Sequence, residues 1–467
     1  MATPVESNSG NMALVPQRAQ RFLDTFLQEF PAPLDPDASL PAKPQSSILS
    51  PDEVEGEMIE FGLRLLHDRN APPLLAAAVV HAAVGEMLQA DLTVFEKKLD
   101  SSQDDVDNTL LEAQPLQHSF FNKLWEVCAS WHKKMPALQH QKRYLQISCH
   151  AIRNTRRKME DKHVSLQEFN QLFGLKDDVD RSYFAIFDGH GGVDAAIYAA
   201  THLHVNVKRR NEITQNPIDA LKESFEQTDT MFLQKAKREV SAENWLLAQK
   251  DITRLTNKLR SGTTGVTALI SGNTLHVAWL GDSQVMMVRH GKDVTLMEAH
   301  RPEREDEKLR IEALGGCVSY MGCWRVNGTL GVSRAIGDVD QKPYISGKAD
   351  GASFELTGAE DYILLACDGF FDAIKQYEVA DIVLDHLRKH NGDGSQTAES
   401  LVAAAKWGGS SDNITVLVVF LRDPQAILME QNSFTFDNLG LNKASEASDG
   451  PFSFFNFSDV KSAEQTE

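Results

Sequence analysis

The sequence predicts an α+β fold, in which helices cover a system of antiparallel strands and an all-helical N-terminal extension comes first. From about Tyr144 to Leu421 short apolar runs are broken by paired helical patterns, the texture of helices laid over sheets. Ser271-Gly272-Asn273 and His290-Gly291-Lys292 read as tight hairpin turns between neighbouring runs, which makes those strands antiparallel. Before about Met135 only helical spacing is present.

Taken in order, Ala19, Phe22, Leu23, Phe26, Leu27 and Phe30 recur on one helical face, and Pro31, Pro33 and Pro36 end it. Pro41 to Ser50 reads as a linker. Ser50-Pro51-Asp52-Glu53 supplies a cap, a first-turn proline and a glutamate three residues after the cap. Val54, Met58, Phe61 and Leu65 line the helix that follows. A further helix is expected over Pro73 to Leu99, a loop over Asp100 to Asp107, and another helix through Phe120, Leu124, Val127 and Trp131. Residues 1–140 thus form a helical regulatory or docking region. Its apolar faces suit packing on itself or on the next domain, and they also suit a partner.

Strands are expected over Tyr144–Cys149, Lys162–Leu166, Tyr183–Phe187, Thr264–Ile270, Leu275–Leu280, Val285–Arg289, Tyr362–Cys367 and Ile414–Leu421. Helices are expected from Asp194, from Asn216-Pro217, through Trp245 to Leu259, over Arg304–Leu314 ahead of Gly315-Gly316, around Val379 to Leu387, and over Ala398–Lys406. These elements define a domain over 144–421. The tail 422–467 is rich in Ser, Asp, Asn and Phe without periodicity and reads as disordered.

The chain has 467 residues and a net charge of −19, which disfavours nucleic acid or an anionic membrane as the main partner. Its five cysteines show no CxxC spacing and read as reduced intracellular thiols. The most apolar stretch, Leu74 to Val84, is too short to span a bilayer, and no secretory signal is visible. A cytoplasmic location is expected, with the nucleus left open.

The acids carry the chemistry. Asp188, Asp282 and Asp368 follow strand ends, whereas Glu160-Asp161 and Asp412-Asn413 stand just before strands. In antiparallel neighbours the end of one strand lies beside the start of the next, so these acids can share one edge. Such a cluster repels itself unless divalent cations are present. An all-oxygen set with no Cys or His at zinc spacing favours Mg²⁺ or Mn²⁺. Glycine after Asp188 and Asp368 lets backbone approach, and the Gly189 carbonyl can serve as a ligand. An anionic substrate needs a cation, for which Arg153, Arg156 and Arg157 are candidates. His190 is placed to act as a general acid. Taken alone, Asp188-Gly189 or Asp368-Gly369 is only a turn. Coincidence is what argues for a site.

Seven segments in order resemble the motifs of the metal-dependent, 2C-type serine/threonine protein phosphatases: Arg156 to Asp161, Phe187 to Gly192, Gly262 to Thr264, Leu280 to Ser283, Leu330 to Asp338, Ala366 to Asp372 and Ser411 to Thr415. The resemblance implies a central β-sandwich of two antiparallel sheets flanked by helices, with metals at one end. It implies that Asp188 bridges two cations, that Glu160 and the Gly189 carbonyl complete one, and that Asp368 and Asp412 hold the other. Asp282 and Asp372, with Asp368, would form a weaker third site. Arg156 would hold phosphate, Asp161 would orient a water, and His190 would protonate the leaving group. One departure is Gln284, where the family often has arginine after Gly-Asp-Ser.

The expected activity is hydrolysis of phosphoserine and phosphothreonine in proteins by metal-activated water. The N-terminal helices are similar to those of the branch acting on calmodulin-dependent kinases. That likeness implies autophosphorylated calmodulin-dependent and p21-activated protein kinases as substrates and a PIX-type exchange factor as a partner. The competing expectations are a scaffold acting through the N-terminal helices and hydrolysis of a small phosphate ester.

Overall fold

The computed structural model describes residues 9–97, 109–138, 143–246 and 260–432. The expected Asp100–Asp107 loop and the 247–259 part of the helix expected around Trp245 lie outside the described residues.

Two five-stranded, wholly antiparallel sheets face each other. The first runs Lys292–Thr295, Gln284–Arg289, Glu360–Ala366, Ile414–Phe420, Gln146–Ile152 from edge to edge, and the second Asp350–Glu355, Thr274–Leu280, Gly265–Ser271, Arg181–Phe187, Lys162–Leu166. Strand alternation decides what each face buries. Phe184 and Ile186 point inward with Val266, Val277, Val285, Met287, Ile363, Leu365, Leu417 and Val419 to fill the sandwich. Tyr183, Ala185 and Phe187 point the other way, toward a layer that includes Ala195, Leu203, Leu221 and Phe225 from the helices Asp194–Arg209 and Pro217–Leu246. On the opposite outer face Met286, Tyr362, Leu364, Val416 and Val418 lie under the helices Gln376–Lys389 and Thr397–Trp407. The α+β reading holds.

The N-terminal helices Ser9–Glu29, Val54–His67, Pro73–Gln89 and Ala113–Lys133 do not form a core of their own. Phe26, Phe61, Val80 and Phe120 belong to the same buried cluster as Tyr183 and Leu203 of the sandwich side. A Cβ on Gly56 would lie 2.5 Å from His202 Nδ1, so glycine is what allows helix Val54–His67 to seat against helix Asp194–Arg209.

Three expectations are corrected. The helix expected over Pro73 to Leu99 ends at Gln89, because Asp91 accepts from the Thr93 amide at 3.0 Å and opens a separate 3₁₀ turn over Leu92–Phe95. The chain after Arg422 is not structureless throughout. Residues 424–432 are helical, Ile427 is buried in the core beneath the first sheet, and Arg422 bridges Asp361 and Glu430; the remainder, 433–467, lies outside the described residues. The strand expected from Tyr144 begins at Gln146 and runs on to Ile152.

Candidate metal centre

The sheet register brings the acids together as strand polarity requires. Phe187 pairs with Lys162, so Asp188 lies beside Asp161. Ala366 pairs with Val416 on one side and Gln284 on the other, which sets Asp368 between the segments that carry Asp412 and Asp282. A cleft of about 470 Å³ opens at this end, lined by Arg156, Glu160, Asp188, Gly189, His190, Asp282, Asp368, Asp372 and Asp412 among others. Asp161 lies just behind it, 3% exposed, its Oδ2 accepting from Thr415 Oγ at 2.6 Å. Every expected ligand and catalytic residue is therefore at one place. Of the three candidate arginines only Arg156 lines the cleft, and its guanidinium reaches the Asp412 carboxylate.

Local structure holds these groups. A Cβ on Gly189 would meet the Glu160 carbonyl at 2.5 Å, so only glycine permits that approach. Asn413 ties the ligand loops: its Oδ1 accepts from the Glu160 amide at 2.8 Å while its Nδ2 donates to the carbonyls of Arg153 and Lys158. Gln284, in place of the frequent arginine, accepts from Gln376 Nε2 at 3.0 Å.

The acids perturb one another as a buried like-charge cluster must. Burial, then the Asp368 carboxylate, pushes Asp188 well above the usual carboxylate range, and a hydrogen bond between the two keeps the proton on Asp188. Burial, followed by Asp368, raises Asp282 to about 7, and burial raises Asp161 to about 6. Ligand atoms of Asp188, Cys367 and Asp368 lie within 4.8 Å of one another. The Cys367 thiol is pushed up by burial and accepts from the Thr415 amide at 3.2 Å, so it remains a packing group beside the acids. Oxygen donors from five strand termini fit hard divalent cations.

His190 lies on the other side of Asp188. Its Nε2 meets Asp338 Oδ2 at 2.8 Å. Burial alone would lower the imidazole pKa, but the Asp338 charge and hydrogen bond outweigh it, and the net shift is upward. Asp338 stands within the fifth motif, yet its partnership has no local signal. A small three-stranded sheet (Ile336–Gly337, Gly262–Thr263, Gly189–His190) creates it across 148 positions of chain. Asn413, Thr415 and Arg301, which reaches Asp372 at 3.4 Å, also went unassigned in the sequence.

A titration follows. Asp161 and Asp282 have folded pKa values of about 6 and 7 against 3.8 for a free aspartate. The folded, metal-free chain thus holds protons that the unfolded chain releases, and it loses this contribution as pH rises through about 6 to 7. Cations bind the deprotonated acids and offset the loss. Mn²⁺ is expected to raise the melting temperature more at about pH 8 than at about pH 5.5, with a stabilisation of about 2.7 kcal/mol at a hundredfold excess over Kd. Equal shifts at both pH values would count against the acid cluster as the binding site.

A family model described as Protein phosphatase 2C matches residues 145–414. Human "Protein phosphatase 1F" is 56% identical over 438 residues, covering 92% of each chain. Mouse "Protein phosphatase 1E" is 51% identical over 383 residues, covering 82% of this chain and 48% of its own length. Among solved structures, a C. elegans sex determining protein superposes with a TM-score of 0.65 at 22% identity, covering 89% of this chain and 97% of its own. A serine-threonine phosphatase 2C from Toxoplasma gondii gives 0.50 at 21%, covering 59% and 94%. These two likenesses show the fold. The chain belongs to the protein phosphatase 2C family. It is a metal-dependent protein serine/threonine phosphatase, similar over nearly its whole length to Protein phosphatase 1F.

Proposed function

We propose that the cleft hydrolyses phosphoserine and phosphothreonine with direct attack of water on phosphorus. The observation that carries this reading is the convergence of Asp188, Asp282, Asp368 and Asp412 beside His190 and Arg156 in one cleft. Asp188, Glu160 and the Gly189 carbonyl would hold one Mg²⁺ or Mn²⁺, Asp188 with Asp368 and Asp412 a second, and Asp282, Asp368 and Asp372 a weaker third. Such cations supply the charge that activates water and stabilises the phosphoryl group in transfer. Arg156, exposed on the rim, turns from Asp412 to the phosphate oxygens, where its planar donors fit. Asp161, fixed by Thr415, accepts a hydrogen bond from the attacking water. His190 donates a proton to the serine or threonine oxygen as its bond to phosphorus breaks, and the upward shift of its pKa supports the charged form near neutrality.

The substrates we infer are autophosphorylated calmodulin-dependent and p21-activated protein kinases. The net charge of −19 supports phosphosites set among basic residues. A PIX-type exchange factor is the proposed partner, the cytoplasm the proposed location, and residues 1–140 the proposed regulatory region. The test is Mn²⁺-dependent phosphate release by the full chain from a panel of phosphothreonine-bearing kinases and control phosphoproteins. Faster release from the kinases is expected. Equal rates across the panel would remove the substrate assignment, and no release from any phosphoprotein would remove the activity.

A further inference from the structure

Asp338 has a backbone φ of +50°, a conformation that non-glycine residues keep only when their surroundings enforce it. The enforcement is visible. The Asp338 amide donates to the Ser261 carbonyl at 3.0 Å, and a Cβ on Gly262 would lie 2.1 Å from Asp338 Oδ2 and 2.4 Å from His190 Nε2, so glycine there leaves room for the pair. The neighbouring Gly337 amide donates to Asp229 Oδ1 at 2.8 Å, and Asp229 Oδ2 accepts from Lys342 Nζ at 2.8 Å. Asp229 is 7% exposed and belongs to helix Pro217–Leu246.

The same helix is fastened further along to the N-terminal region. Phe232 packs against Tyr198 at 5.4 Å, and Lys235 Nζ stands 5.6 Å above the Tyr198 ring. Lys235 donates to Glu53 Oε1 at 3.1 Å, and Arg238 to Glu53 Oε2 at 3.2 Å. Glu53 is 1% exposed, and it immediately precedes the helix Val54–His67. Glu55 bonds Lys208 at 3.0 Å and Arg209 at 3.2 Å on helix Asp194–Arg209, which grows out of the loop carrying His190. The N-terminal region therefore grips both helices that set the two sides of the His190–Asp338 pair. A buried carboxylate shared by two cations holds its partners firmly, since removing any member leaves an unmatched charge.

We propose that Asp338 and Asp229 are positioning residues for His190, and that Glu53 of the N-terminal region sets their place by fixing helix Pro217–Leu246. This inference rests on the reading of His190 as proton donor to the leaving oxygen. It makes the N-terminal region a part of the catalytic apparatus, acting on the esters that need a proton and leaving substrate affinity unchanged.

Leaving-group dependence tests it. Threonine leaves as a poor, strongly basic alkoxide, whereas nitrophenolate departs from p-nitrophenyl phosphate without a proton. With the full chain and Mn²⁺, Asp338→Asn is expected to lower kcat on a phosphothreonine peptide by about 10²-fold while changing the aryl ester by less than about threefold. Glu53→Gln is expected to lower the phosphothreonine kcat selectively by about 3- to 30-fold with KM unchanged, and to add nothing in the Asp338→Asn background. Lys235→Met removes the same link if Glu53→Gln does not accumulate folded, and Lys235→Arg should restore the rate that Lys235→Met loses. Equal losses on both esters, additivity with Asp338→Asn, or no loss at all would overturn the inference. If His190→Ala itself slows both esters alike, the proton-donor reading fails and takes the inference with it. If His190→Ala is selective and Glu53→Gln is not, only the inference fails.

Discussion

Asp188→Asn is expected to lower Mn²⁺-dependent phosphate release from a phosphothreonine peptide by roughly 10²- to 10³-fold, in line with losses on removing one preorganised charge-stabilising group. Burial first, then Asp368, Asp161 and Asp282, all push the Asp188 pKa upward. In the proposed metal centre it is the carboxylate that two cations would share. The substitution keeps the shape and is neutral without the proton that buried Asp188 takes up on folding, so near neutral pH the metal-free protein should unfold at the same or a higher temperature. Its gain on adding Mn²⁺ should shrink. Loss of activity with retained metal-free stability separates a functional acid from a structural one. Undiminished turnover would sink the metal-centre assignment.

Phe120→Ala is expected to destabilise the whole chain by about 3–5 kcal/mol, the range for deleting a fully buried aromatic ring. Phe120 is 0% exposed, meets Phe61 edge-on at 6.2 Å, and belongs to the cluster that continues into the sandwich through Leu203 and Tyr183. The loss should appear in the catalytic part as well, with activity and far-ultraviolet circular dichroism falling together in urea. A separate early transition that leaves activity intact would show the N-terminal helices to be energetically independent.

Much of the centre could be read from sequence because each acid ends or begins a strand with an unmistakable apolar run. Phe184-Ala185-Ile186-Phe187 before Asp188 is an example, and antiparallel pairing converts such local facts into a shared edge. His190 with Asp338 could not be read this way. Their meeting depends on strands two residues long, below any periodicity, and on a left-handed aspartate. The edge strand Asp350–Glu355 escaped because its outer residues are partly exposed and no apolar run marks it. Helix 424–432 escaped because its buried contacts are few, Pro424 and Ile427 with Leu428 partly covered, and form no extended apolar stripe. Whether the N-terminal helices pack on themselves or on their neighbour was equally hidden, since an apolar stripe does not name what covers it. Gly56 resolves it, but only once His202 is seen opposite.

The close seating at Gly56 also has a bearing on descent. A helix that fits only where a glycine meets a particular histidine cannot be exchanged for another family member's helix without changing both faces. His81 adds a second such constraint, reaching the Leu172 carbonyl at 3.1 Å and crowding Gly174. The two parts of this chain are thus matched to each other at both contacts. Swapping the first 140 residues between distant relatives should give a chimera that folds poorly, and co-variation between positions such as 56 and 202 is the record that shared inheritance would leave.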